Sequence, residues 1–131
     1  MDTALAEALT PVLRDLERSG SVIPEVRDDE WGGIEGQATA GLRGPDGSGQ
    51  GVSVMTGESL PQRIASVADQ VQEWAVEELC SVGRPTNWPQ CPDHPHSHPL
   101  SAVVQDVRSA WTCPATGRLA SEIGQLGRPQ P

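Results

Sequence analysis

Cys91-Pro92-Asp93-His94-Pro95-His96-Ser97-His98-Pro99-Leu100 is the stretch on which the reading of this chain turns. These ten residues hold all three histidines of a 131-residue sequence and one of its three cysteines. Two residues separate Cys91 from His94, and three separate His94 from His98. At such spacings one turn of backbone brings two donors onto a single metal ion. Pro95 and Pro99 fix φ on either side of the histidines and stiffen the loop that would aim them.

Working outward, Cys113 is the nearest further thiol downstream. The alternation over 102–107 (Ala102, Val103, Val104, Val107) predicts a strand, Ser109 to Cys113 a second, and Arg118 to Ile123 a third. A hairpin made by the first two returns Cys113 to the loop. Thiolate and imidazole donors in a set of four suit tetrahedral Zn2+. The expected metal ligands are therefore Cys91, His94, His98 and Cys113, with His96 the alternative to His98. Cys80, late on a predicted helix and near its apolar side, is expected to be a small buried hydrophobe.

Three other readings compete. A polar surface loop would explain the prolines, but not three histidines and a cysteine within eight positions. A metallohydrolase using His94-Pro95-His96 would need ligands on distant loops, and the sequence has no further histidine. A zinc deaminase needs His-x-Glu followed by Pro-Cys-x-x-Cys, and neither half is present. Asp93 lies inside the knuckle, where it faces no pocket as a general base would. The expectation is a structural metal and a protein that is not an enzyme.

Residues 87–123 resemble a zinc ribbon, in which two knuckles at hairpin tips share one zinc. Cys91, His94, Trp111 and Cys113-Pro114-Ala115-Thr116-Gly117 carry the likeness. The second knuckle of a ribbon supplies two ligands at Cys-x-x-Cys spacing, and here Thr116 stands where the second of them would be. The resemblance thus implies an irregular ribbon, completed by a histidine from the first knuckle, and it covers less than a third of the chain.

Upstream, Leu60, Ile64, Val67, Ala68, Val71, Ala75, Leu79 and Val82 recur at helical spacing, with Trp74 beside them. Ser59 and Gln62 fit a capping box, Pro61 suits the first turn, and Gly83 a stop. This predicts a long helix over 60–82, with Asp69, Glu73, Glu77 and Glu78 on its solvated side. A first helix is expected over 3–19, capped by Thr3, stopped by Gly20 and bent at Pro11, since Leu5, Leu9, Val12, Leu13 and Leu16 form one stripe. Between the helices, Ser21 to Val26 reads as an edge strand holding Pro24. Arg27 to Glu30 reads as a charged turn, and Ala38/Ala40/Leu42 and Val52/Val54 as strands of a small antiparallel meander. Gly44-Pro45-Asp46-Gly47-Ser48-Gly49-Gln50-Gly51 reads as its long hairpin tip. The expected fold class is α+β: helix, β-meander, long helix, then a zinc-ribbon-like β-hairpin module. The expected division is an acidic body over 1–86, the module over 87–126 and a disordered tail over 127–131.

Composition bounds the function. The chain has no Phe or Tyr and four Trp, so its core volume is thin and a bound metal would supplement it. The net charge of −9 is uneven, because fifteen of the eighteen acidic groups precede residue 84 while only five of the nine arginines do. That acidity opposes nucleic-acid backbones. Without a basic start or a long apolar run, neither a secretory leader nor a membrane span is expected. An odd cysteine count argues for free thiols in a reducing, cytoplasmic setting. The function expected from sequence is a non-enzymatic zinc-binding adaptor, accessory or structural subunit whose partner is another protein or a second copy of itself. The alternatives are a nucleic-acid-associated zinc-ribbon regulator and a small metal-dependent hydrolase.

Overall fold

The computed structural model describes residues 1–19, 22–29 and 33–127. The fold is α+β, with two helices and two small antiparallel sheets. Helix α1 spans Thr3–Arg18, and strands β1 (Glu25–Arg27), β2 (Gln37–Arg43) and β3 (Gly49–Met55) follow. Helix α2 spans Leu60–Ser81. Strands β4 (Ser101–Gln105), β5 (Arg108–Thr112) and β6 (Leu119–Glu122) complete the order.

Helix α2 is the central element. It packs against α1, against β3 of the first sheet and against β4 and β5 of the second. Its start is the capping box read from the sequence: the Ser59 hydroxyl accepts from Gln62 N–H, and the Gln62 side chain accepts from Ser59 N–H. At its end Gly83 adopts φ +72°, and Arg84 N–H returns to Leu79 C=O at 2.9 Å. Val67, Ala68, Val71, Trp74, Ala75 and Leu79 are buried. Leu60, the first residue of the helix, and Val82, its C-cap, are exposed.

Three expectations on the helices are corrected. Asp2, not Thr3, caps α1, with its Oδ1 accepting from Ala4 N–H at 2.7 Å. Cys80 is exposed, since one residue beyond buried Leu79 the helix has already turned toward water. Glu78 is buried instead of solvated: the β2–β3 turn folds over it, Gly44 approaches so closely that a Cβ there would stand 2.6 Å from its Oε2, and Ser48 Oγ lies 3.3 Å from its Oε1. Pro11 sits within an unbroken α1, as the stripe suggested.

The first sheet runs β1-β2-β3, with Ala38 opposite Val54 and Ala40 opposite Val52, all four buried. Its edge β3 is met by α2: Gln70 accepts from Ser53 N–H at 2.9 Å and donates to Ser53 C=O at 2.8 Å, standing in for a neighbouring strand. β1 begins only at Glu25, so Pro24 lies outside the ladder and the edge strand expected over 21–26 is shorter. Gly20, Ser21, Glu30 and residues 128–131, on which the helix stop, part of the turn and the tail were read, lie outside the described residues.

The second sheet runs β4-β5-β6, with Ser101 opposite Thr112 and Ala110 opposite Glu122. The alternation expected through Val107 stops at Gln105. Asp106 and Val107 form the hairpin turn in left-handed conformations, φ 51° and 57°. A β-branched residue is disfavoured there, so turn chemistry gave no sign of it.

One core cluster runs through both sheets and both helices, from Leu5 and Leu16 through Leu42 and Val71 to Leu100, Trp111 and Ile123. Trp111 is fully buried and meets Trp88 edge to face at a centroid distance of 5.6 Å. Its indole N–H donates to Asp15 Oδ2 of α1 at 2.8 Å. The same carboxylate accepts from Gly124 N–H at 2.7 Å and Leu126 N–H at 3.0 Å. Asp15 is wholly inaccessible and joins the first helix to the last sheet.

Candidate metal centre

Loop 88–100 is held at both ends by one side chain of α2. Gln72 Nε2 donates to Trp88 C=O at 3.1 Å and to Leu100 C=O at 2.6 Å. Leu100 N–H returns to Pro89 C=O at 2.7 Å, and Asn87 and Gln90 both donate to Pro95 C=O. Within this frame His94 N–H reaches Cys91 C=O at 3.2 Å, which closes the first knuckle. The second knuckle follows β5: Gly117 N–H donates to Cys113 C=O at 2.8 Å and Cys113 N–H to Arg118 C=O at 2.9 Å, with Gly117 at φ +75°. The exposed Arg118 guanidinium meets Asp93 at 3.1 Å and links the two turns across the surface.

These frames bring Cys91, His94, His98 and Cys113 together. Their ligand atoms all lie within 4.8 Å of one another, in a group that can hold a metal ion. His94 Nδ1 is 3.7 Å from Cys91 Sγ and 3.5 Å from Cys113 Sγ. A tetrahedral zinc with Zn–S near 2.3 Å and Zn–N near 2.05 Å has S···N edges of about 3.5 Å, so His94 Nδ1 stands from the two sulfurs at about the spacing such an ion needs. Both cysteines are buried and both histidines half-buried. His96 is exposed and outside the group.

His98 supplies a separate test of fit. Its Nδ1 lies 3.2 Å from Pro99 C=O, an acceptor, so the neutral ring places its proton on Nδ1 and its lone pair on Nε2. Nε2 is buried without a hydrogen-bond partner. A buried nitrogen lone pair left unsatisfied is costly, and a metal ion among the neighbouring thiols would satisfy it. The Cys113 thiol is lowered to about 6, chiefly by the Thr116 hydroxyl, with the Thr116 and Ala115 amides and Cys91 adding to it against the opposing effect of burial. Thr116, at the position of the missing fourth knuckle ligand, thus supports the thiolate it does not join.

Sequence reasoning missed Thr116 as a donor, Gln72 as a clamp and Asp15 as a buried acceptor. The knuckle spacing from Cys113 to Thr116 was the available signal for the first. Gln72 had none, because its partners are backbone carbonyls far along the chain. Cys91 and Cys113, together with Leu100 and Arg118, line a cavity of about 90 Å³. Among the described residues no helix is long and apolar enough to cross a membrane. No protein-family model matches the chain, and neither a curated protein nor a solved structure matches it.

Proposed function

We propose that this is a non-enzymatic zinc protein, in which Cys91, His94, His98 and Cys113 hold one structural Zn2+ in a ribbon-like module over 87–126. The observation that carries the reading is the convergence of two thiols and two imidazoles within 4.8 Å, with His94 Nδ1 at 3.7 and 3.5 Å from the two sulfurs and His98 Nε2 buried and unpartnered. Two thiolates neutralise the charge of a divalent ion, and N/S donors favour zinc over the hard cations. Four protein ligands leave no position for a reacting water, which supports a structural rather than a catalytic metal. Bound there, the ion would supply the cross-link between loop 88–100 and the end of β5. The protein's own residues do the rest: Pro99 C=O favours the His98 tautomer with Nδ1 protonated, Thr116 lowers the Cys113 pKa, and Gln72 sets the loop on α2.

With no catalytic role for the metal, the acidic body over residues 1–86 is the surface offered to others. The role that fits is an adaptor or accessory subunit that binds another protein, or a second copy of itself. Elemental analysis of the purified protein tests the metal. The expected result is about one zinc per chain, lost with Cys91→Ser or Cys113→Ser and with His98→Ala but kept with His96→Ala. Metal-free protein whose melting is unchanged by added zinc would overturn the reading.

A further inference from the structure

The cavity beside the metal centre is lined by Cys91 and Cys113 and by neither of the two histidines. Its volume of about 90 Å³ is several times the roughly 10–15 Å³ that admits one water. The cavity therefore has room for a molecule the size of hydrogen peroxide beside the two cysteine residues, which are themselves buried. Asp93, expected from the sequence to face no pocket, lines it together with Arg118, and their ion pair is exposed to solvent. The two sulfurs lie within 4.8 Å of each other. The third thiol, Cys80, is exposed on α2 and is not part of the group.

We infer that Cys91 and Cys113 form a peroxide-responsive pair, which closes to a disulfide and releases the metal. The inference rests on the zinc reading above and adds regulation to that site. One thiolate attacks a peroxide oxygen, the O–O bond breaks, and a sulfenic acid and hydroxide result. The second thiolate attacks the sulfenic sulfur, forms the S–S bond and expels a second hydroxide. Two electrons pass from the sulfurs to the peroxide. The ion is then left with His94 and His98 alone. Two neutral imidazoles lack the charge and the donor number that a tetrahedral zinc requires. The new S–S link joins the same two turns that the metal joined, so the hairpin stays attached while the ion departs. Thioredoxin-type reductants would reverse the step by thiol–disulfide exchange.

The experiment uses zinc-loaded protein carrying Cys80→Ser, which removes the thiol outside the site. The Arg84–Pro85 bond resists trypsin, so residues 64–108 stay in one peptide; with Cys80 replaced, Cys91 is its single thiol and Cys113 lies in peptide 109–118. Millimolar hydrogen peroxide is added and three quantities are read together: zinc in a chromogenic indicator, free thiols, and the tryptic map. The expected result is loss of about two thiols and one zinc per chain in step, a linked 64–108/109–118 pair, and recovery of both thiols and zinc on reduction. Zinc retained with both thiols intact would overturn the inference. So would zinc lost with sulfinic or sulfonic acids and no linked peptides. If the protein takes up no zinc at the outset, the zinc reading itself has failed and metal release falls with it. Zinc bound but indifferent to peroxide sinks only the present inference.

Discussion

Replacing Asp15 tests how the last sheet is attached to the first helix. Its carboxylate is wholly inaccessible and accepts from Trp111 Nε1, Gly124 N and Leu126 N. Asp15→Ala leaves those donors without an acceptor. A buried polar group that loses its partner costs about 1–3 kcal/mol. Trp111 and Gly124 are buried and Leu126 only half-buried, so the first two, at about 2 kcal/mol each, set the expected loss near 4 kcal/mol. A chain of this size has a total stability of about 5–15 kcal/mol, and each kcal/mol moves its melting temperature by roughly 4 °C. Asp15→Asn should cost less, about 1–2 kcal/mol. Its carbonyl oxygen can take the Oδ2 place facing Trp111 and Gly124, which leaves only the Leu126 amide opposed by an amino group. Urea unfolding followed by tryptophan fluorescence reads both variants. An Asp15→Ala loss below about 0.5 kcal/mol, the range of ordinary surface changes, would refute the assignment of Asp15 as the attachment.

The same residue fixes the sign of a pH effect. Burial raises the Asp15 pKa, against the lowering by Trp111, Gly124, Leu126 and the charge of Arg18. The folded state therefore binds this proton more tightly than the unfolded state. Such a group favours folding below its unfolded pKa, and the advantage is lost as pH rises through the folded value. Measured against Asp15→Asn, which cannot titrate, the wild type should gain relative stability as pH falls from 7 toward 4. A difference that stays flat, or that shrinks on acidification, would contradict the direction.

Two further outcomes follow from the surroundings of the metal centre. Thr116→Val removes the hydroxyl that contributes most to lowering Cys113. More thiol must then be deprotonated for zinc to bind, so the loss of zinc affinity relative to wild type should widen as pH falls from 8 to 6, measured by competition with a chelating indicator; a pH-independent ratio would show that Thr116 acts otherwise. Gln72→Ala frees Trp88 C=O and Leu100 C=O at the two ends of the ligand loop, which should weaken zinc about tenfold, the lower end of the effect of outer-shell partners. Unchanged affinity in that variant would place the loop's rigidity in its prolines and its own hydrogen bonds, not in Gln72.

Much of this was legible in the sequence wherever a local rule and the tertiary environment agree. The α2 stripe and its capping box are local, and the helix follows them closely. The four candidate ligands were legible because metal donors at short spacing have few other uses. What could not be read depends on partners far along the chain. Asp15 lies in phase with Ala8 and Val12 on the apolar stripe, and Glu78 in phase with Val71 and Ala75, so both carried a sign of burial. Neither position revealed what would satisfy it: donors at Trp111, Gly124 and Leu126 for one, a turn closing over the other. Cys80 was misjudged for the opposite reason, since one residue of helical phase separates a core position from an exposed one. The turn at Asp106-Val107 lacks the glycine or asparagine that left-handed hairpin turns favour, and the strand was read through it.

The two attachments converge on β5. Trp111 reaches back to α1 through Asp15, and Cys113, with one residue between them, reaches the ligand loop that Gln72 fixes to α2. A core without Phe or Tyr has little apolar volume to hold a three-stranded sheet, and α2 already divides its packing between two sheets and a helix. A buried acid with three donors is a directional contact, and it fixes where β5 sits. The metal is the complementary device. The binding free energy of a structural zinc site, about 10–16 kcal/mol in small peptides at neutral pH, is as large as the whole stability of an ordinary domain. Placed at the end of the same strand, it would supply the strength that the apolar core lacks, while Asp15 supplies the register. With a structural zinc bound, the cysteines and histidines would belong to the architecture of the protein, and oxidation of the Cys91–Cys113 pair would act on one of its strongest contacts.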